Sequence, residues 1–289
     1  MQDDISERVV ATIADAFGII ARTGLGEARA SGTESLGAYE CVLRAYAYTA
    51  LHTAVAQLPA RDCLEQAVDQ EPDYVEALAQ LAYLYREEYH HGFNPQVDSL
   101  DRGLELARRA LELDPTHQAA QLALAQIHWS RHELDEFFPA ADRAVALNPN
   151  EAKTLASVGL STTLAGRWDR GAALIRQAIA LNPYHPGWYY LALFHDHYRK
   201  GQYQEALGEA QKINLPELWE TYSTLAQTYG QWGRKQQAEA AVAKLLKLYP
   251  DFARSAWREF RKRNLPEAEI AHLVDGLRKA GLPVPEPTT

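Results

Sequence analysis

Among the 289 residues, the side chains best suited to chemistry are ten histidines and two cysteines. His128 and His132 stand four apart, the spacing that puts two imidazoles on one helical face and could hold a metal ion. A zinc hydrolase of the His-Glu type needs a glutamate directly after the first histidine as general base; Trp129 occupies that place, which excludes the mechanism. His90-His91 and His195-Asp196-His197 are two further groups, read here as lacking a Cys or Glu at dependable ligand spacing. Ordinary groove or surface histidines, or an adventitious metal pair, account for all three, and no metal or other cofactor is expected. Cys41 and Cys63 lie in Ala- and Leu-rich stretches without an evident base, so they read as buried thiols. The chain contains no G-x-x-x-x-G-K phosphate loop, no dinucleotide fingerprint after a strand and no G-x-S-x-G nucleophile elbow. No catalytic residue is assigned, and an enzyme is not expected.

The elements that carry these residues belong to a folded chain, with 47% hydrophobic and 23% charged residues. Its 38 acidic residues against 29 Lys and Arg give a net charge of -9, a field that repels nucleic acid and anionic lipid. The first residues, Met1-Gln2-Asp3-Asp4, lack a basic and apolar leader, and no run of about 18 apolar residues occurs. With only two cysteines, a reducing cytoplasmic setting is the simplest expectation.

Internal repetition decides the architecture. Pro72, Pro115, Pro149, Pro183 and Pro250 each close an amphipathic segment, and the phrase before them recurs: Ala110-Leu111-Glu112-Leu113-Asp114-Pro115, Ala144-Val145-Ala146-Leu147-Asn148-Pro149, Ala178-Ile179-Ala180-Leu181-Asn182-Pro183. The last three of these are 34 residues apart in turn. Proline cannot continue a helix and pushes the preceding residue out of the helical region, so each phrase ends one helix before the next begins. Small residues recur where antiparallel helices would touch, as in Ala82 with Ala107 and Ala110, Ala125 with Ala141 and Ala144, Gly159 with Gly171 and Ala178, and Ala226 with Ala238.

The pattern resembles the tetratricopeptide repeat family. Its clearest copy holds Tyr222, Leu225-Ala226, Tyr229, Trp232-Gly233, Ala238 and Tyr249-Pro250 at the family spacing. Further copies span about 75 to 115, 118 to 149 and 152 to 183. The copy beginning Trp188-Tyr189-Tyr190 departs by about two residues and ends at Pro216 without the usual phrase. The resemblance implies an all-α, right-handed superhelical solenoid of about six helical hairpins over 39–252, with capping helices and a Pro-rich tail over 253–289.

Before the array, residues 1–23 read as an amphipathic helix with Ile5, Val9, Ile13, Phe17 and Ile20 on one face, and 24–38 as a linker. Several roles are open to that helix: packing as a cap, lying in the concave wall, pairing two copies into a homodimer, or belonging to a domain absent from the chain. Gln2 to Val10 resembles the segment ahead of tetratricopeptide arrays in bacterial TolB-like and class III nucleotide cyclase multidomain proteins. That resemblance implies, as the alternative function, a regulatory carboxyl-terminal module of a signalling protein. The interval from Pro72 to Pro115 is nine residues longer than the period, with the excess near 87–100, read either as a loop on a binding face or as a tolerated insertion.

By the same family resemblance, the first helix of each repeat faces the concave side and presents Tyr83, Arg86, Gln126, Trp129, Leu160, Leu164, Tyr189, Leu193, Ser223 and Gln227. Chaperone-binding members of the family clamp a terminal carboxylate with Lys and Asn; here Lys153 is the main match, so such a clamp is not expected. The expected function is a bacterial interaction module that binds a protein or peptide partner, an apolar or helical segment by preference, through this wall.

Overall fold

A computed structural model describes residues 37–287. The expected amphipathic helix, the linker up to residue 36 and the TolB-like segment lie outside the described residues. Fourteen α-helices and no strand are found among those described. They are α1 (Ala38–Leu51), α2 (Ala54–Gln70), α3 (Val75–His91), α4 (Ser99–Leu113), α5 (Gln118–Ser130), α6 (Leu134–Leu147) and α7 (Ala152–Leu164). The series continues with α8 (Trp168–Leu181), α9 (Tyr190–Arg199), α10 (Tyr203–Ile213), α11 (Trp219–Gln231), α12 (Lys235–Leu248), α13 (Phe252–Arg261) and α14 (Glu267–Lys279). A 3-10 turn at Gly187–Tyr189 precedes α9 and takes up the irregular stretch in the fifth copy.

The proline phrase acts locally as the backbone requires. Glu71, Asp114, Asn148 and Tyr249, each just before a proline, have φ between -150° and -125° and positive ψ near 80–100°, which is extended backbone. Within hairpins the chain reverses through a residue in the left-handed region: Gly166 (φ 83°), Gly201 (φ 71°), Gly233 (φ 70°) and, in the third hairpin, His132 (φ 62°). His132 therefore sits in a turn beyond the end of α5 and shares no helical face with His128, contrary to the spacing argument. His128 Nδ1 instead bonds Glu133 Oε2 at 2.7 Å. A side chain with a Cβ costs about 1–2 kcal/mol in this region, part of which glycine returns as unfolded-state entropy. His132→Gly is expected to raise unfolding stability by up to about 1 kcal/mol, as read by chemical denaturation.

The described residues form two compact units. One runs to Val158 and includes Arg176–His185; the other comprises Gly159–Ile175 and the residues from Pro186 onward. In the first unit α1 packs on α2, α3 on α4 and α5 on α6, while α3 also contacts α1 and α5. Each hairpin thus covers the apolar stripe of the next. The small residues foreseen at the crossings, Ala82, Ala107, Ala110, Ala125, Ala141 and Ala144, are all buried. In the second unit α9 packs on α10 and α11 on α12, and α14 lies across α11. The α11–α14 crossing is made by Gly230 facing Gly276. A Cβ on Gly230 would lie 2.8 Å from Ala280 N and closer still to Gly276 O, both backbone atoms that cannot swing aside. On an exposed helix Gly→Ala would be favourable by about 1 kcal/mol. Here Gly230→Ala is expected to destabilise by about 2 kcal/mol, measured by urea unfolding, because overpacking outweighs propensity.

Cys41 and Cys63 are joined in a disulfide between α1 and α2, with Cα atoms 5.3 Å apart. This corrects the expectation of two free buried thiols. The hairpin brings together two residues 22 positions apart, a pairing that spacing alone does not specify. Disulfides persist chiefly in oxidising compartments, so the cysteines give no support to a reducing setting. No described helix is long and apolar enough to cross a membrane.

Candidate functional site

In the first unit the opening helices α1, α3 and α5 and the start of α7 line a polar pocket of about 210 Å³, to which Tyr46, Glu76, Gln80, His117 and Lys153 contribute. Its centre is the Glu76 carboxylate. Tyr46 Oη and Gln80 Nε2 each donate to Glu76 Oε1 at 2.7 Å, and His117 Nε2 lies 3.1 Å from Oε2. His117 is also the N-cap of α5, where its Nδ1 accepts from the Ala120 amide at 3.4 Å. With Nδ1 accepting, the proton resides on Nε2 and is donated to Glu76. Burial alone would raise the Glu76 pKa, but the bonds from His117, Tyr46 and Gln80 outweigh it and bring the group down to about 2. Burial, followed by the neighbouring Glu76 charge, pushes the Tyr46 phenol far up, so it remains a donor.

The Lys153 ammonium lies over two rings, 4.6 Å from the centroid of Tyr83 and 5.4 Å from that of Tyr46. Lys153 comes from the first turn of α7, whose start is fixed by Glu151 Oε2 accepting the Thr154 amide at 2.6 Å. The pocket therefore joins a carboxylate, an imidazole, a phenol and an ammonium held by four different elements.

Most of the expected wall is buried. Tyr83 lies under Lys153; the Arg86 guanidinium is over the Trp129 ring and donates to Ser130 Oγ and Glu87; Gln126 donates to the Ser157 carbonyl at 3.3 Å. Trp129 is 1% exposed, so it is core and not a projecting anchor. In the second unit Leu164, Tyr189 and Leu193 are buried, Leu160 is half-buried, and Gln227 donates to Ser223 Oγ at 3.0 Å. The side chains of these first helices are engaged with their own surroundings.

The nine-residue excess does not make a loose loop. It lengthens α3 to His91, where Gly92 ends the helix at φ 69°. The following segment is tied back to the first hairpin, because Asn94 Nδ2 donates to Ala54 O and to Gln57 Oε1. The added turn, residues 88–91, follows Glu87 and begins with Glu88, both buried. Glu88 accepts from Arg61 Nη1 at 2.6 Å, Gln57 Nε2 at 2.8 Å and Ser99 Oγ at 2.9 Å. Contrary to the first reading of the histidines, His91 does have a carboxylate at helical spacing, since Glu87 stands four residues before it and lies 3.3 Å from its Nε2. His195-Asp196-His197 gathers no ligand set: Asp196 pairs with Arg199 and Lys200, and His197 Nδ1 bonds Gln202 Oε1.

These helical hairpins define a repeat protein of tetratricopeptide type. One tetratricopeptide repeat family model matches residues 98–152, and a second matches 220–252. No curated protein sequence matches the chain. Among solved structures, the human IFIT1 dimer with m7Gppp-AAAA is similar at a TM-score of 0.61 and 17% identity, covering 84% of this chain and 59% of that one. The pilF protein of Pseudomonas aeruginosa is similar at a TM-score of 0.51 and 15% identity, covering 83% and 97%. PilW, a type IV pilus biogenesis factor, follows at 0.50 and 19%, covering 68% and 90%. At these identities the likeness is one of fold.

Proposed function

We propose that this chain is a protein-interaction module that takes up a peptide or a helical segment of a partner along the wall made by its first helices. The observation that carries this reading is the pocket between Tyr46, Glu76, His117 and Lys153, none of them among the expected anchors, which are mostly buried. Its volume suits one side chain, not a cofactor, and its ammonium and fixed carboxylate would read a polar group on that side chain. Tetratricopeptide repeats support the reading, because stacked hairpins expose an extended surface without a built-in reactive group. In this scheme residues 39–252 are the array, 253–289 close its end, and 1–23 with 24–38 precede it. The regulatory alternative stands on Gln2 to Val10, outside the described residues.

The test is a displayed peptide library selected on the intact chain, with dissociation constants then measured by fluorescence anisotropy. Selected peptides are expected to bind Lys153→Met and Tyr46→Ala about tenfold or more weakly, a loss of about 1.4 kcal/mol each; Lys153 is 5% exposed, so its stem is kept, and circular dichroism checks that each protein folds. Equal binding to all three proteins would place recognition elsewhere. Trp129→Ala or Tyr189→Ala would not make this distinction, since truncating a buried aromatic costs about 3–5 kcal/mol of fold stability in its own right.

A further inference from the structure

We propose that His52, Glu87 and His91 form a binding site for a zinc ion that fastens the first helical hairpin to the second. The three residues come from two elements. Glu87 and His91 are one turn apart on α3, so both project from one face. His52 is the residue that ends α1, and its left-handed backbone (φ 48°) turns the chain there. The Nε2 atoms of both imidazoles approach the same carboxylate oxygen, Glu87 Oε2, at 3.6 Å for His52 and 3.3 Å for His91. The ligand atoms of all three lie within 4.8 Å of one another.

Two of the three separations are close to those a small cation requires. With zinc–ligand bonds of about 2.0–2.1 Å, neighbouring ligands of a tetrahedral centre are about 3.3–3.4 Å apart. The Glu87–His91 edge has that length already, and the Glu87–His52 edge is within a few tenths of an ångström. The carboxylate is also aimed. Its other oxygen, Oε1, is held by Arg86, which turns Oε2 toward the imidazoles as an outer-shell partner would. Phe93 stacks on the His91 ring at 5.3 Å and 20°, fixing the ring plane. Tyr48 Oη, 3.3 Å from Oε2, stands beside the same oxygen and would turn away or share it.

Ligand chemistry selects the metal. Two imidazole nitrogens and one carboxylate oxygen suit zinc among late first-row ions, whereas calcium and magnesium take oxygen ligands. Three protein ligands leave a fourth position for water. Because Glu87 is 1% and His52 7% exposed, the site is nearly closed, which fits a structural staple. The added turn of α3, part of the excess over the repeat period, supplies His91, and Glu87 stands immediately before it.

The test uses the full, untagged chain, stripped with a chelator and titrated with Co(II) as a visible probe for zinc. One equivalent is expected to give the intense d–d absorption of a tetrahedral centre, bleached by one equivalent of Zn(II). Outer-shell changes alone weaken metal sites about 10–100-fold, so His52→Gln and His91→Gln are each expected to lose about a hundredfold or more in affinity. His128→Gln, which alters a histidine paired with Glu133, is expected to bind as the parent does. His91→Gln, at the rim of the site, is the variant best placed to fold, and circular dichroism checks it. A melting temperature that rises with zinc but not with magnesium in the unmodified chain provides a readout independent of any substitution. Absence of Co(II) uptake by the unmodified chain, or uptake that survives in folded His91→Gln, overturns the site.

Discussion

Arg263→Met is expected to destabilise the chain by about 3–5 kcal/mol in urea unfolding. Arg263 is 5% exposed, and its guanidinium pairs with two buried acids, Glu220 and Glu259. Its Nη2 donates to Glu220 Oε1 at 2.5 Å, and its Nη1 lies 3.2 Å from Glu259 Oε2 and donates to the Glu259 carbonyl at 2.9 Å. The guanidinium also lies 4.6 Å from the centroid of the Trp219 ring. Methionine keeps the stem and removes the charge, taking from Glu220 its close cation and leaving Glu259 with the Tyr249 hydroxyl and the more distant Arg258, 3.5 Å away. The triple change Arg263→Met, Glu220→Gln, Glu259→Gln is expected to recover most of the loss, because the penalty comes from uncompensated charge and not from the shape of the site.

The same group sets a pH dependence. Burial alone would raise the Glu259 pKa, but Arg263 and Lys262 outweigh it and hold the carboxyl below its ordinary value of 4.5. A depressed folded-state pKa gives stability that is present above pH 4.5 and is lost as pH falls below it. The parent should therefore show an acid limb in its stability curve that is shallower in Arg263→Met. Equal limbs in the two proteins would show that the arginine does not stabilise the Glu259 charge.

Reduction of the Cys41–Cys63 disulfide is expected to cost about 3 kcal/mol. The bond closes a loop of 22 residues in the unfolded chain, and the chain-entropy relation gives about that value for a loop of this size. Urea unfolding with and without reductant measures it. The double variant Cys41→Ala, Cys63→Ala should lose a similar amount and become indifferent to reductant, which separates the cross-link from general effects of the reagent. Thiol labelling of the untreated, denatured parent should find no free cysteine. Cys41, Cys63, Tyr48 and Leu64 share one apolar cluster, so the cross-link holds the hairpin that carries Tyr46 and His52. Loss of the disulfide should therefore also weaken the binding proposed for the Tyr46 pocket.

The sequence by itself determined the helical hairpins and their rhythm, since proline acts on its own residue and the one before it, and glycine or alanine at a crossing acts through size alone. Asp114, Asn148 and Tyr249 adopt the extended backbone that the following proline demands, and Ala82, Ala107 and Ala144 are buried where close helix approach was expected. One signal for the histidines was also present, in the helical spacing of Glu87 and His91. Tertiary structure alone decided the rest. The polar pocket joins Tyr46 to Glu76, 30 residues away; Arg61 reaches Glu88 across 27 and Arg263 reaches Glu220 across 43. Trp129 and Tyr189 looked like binding anchors because a first-helix position fixes which way a side chain points, but not what packs over it. Whether an aromatic is an anchor or core depends on the neighbouring hairpins, and that information resides in the stacking of the repeats, not in any one of them.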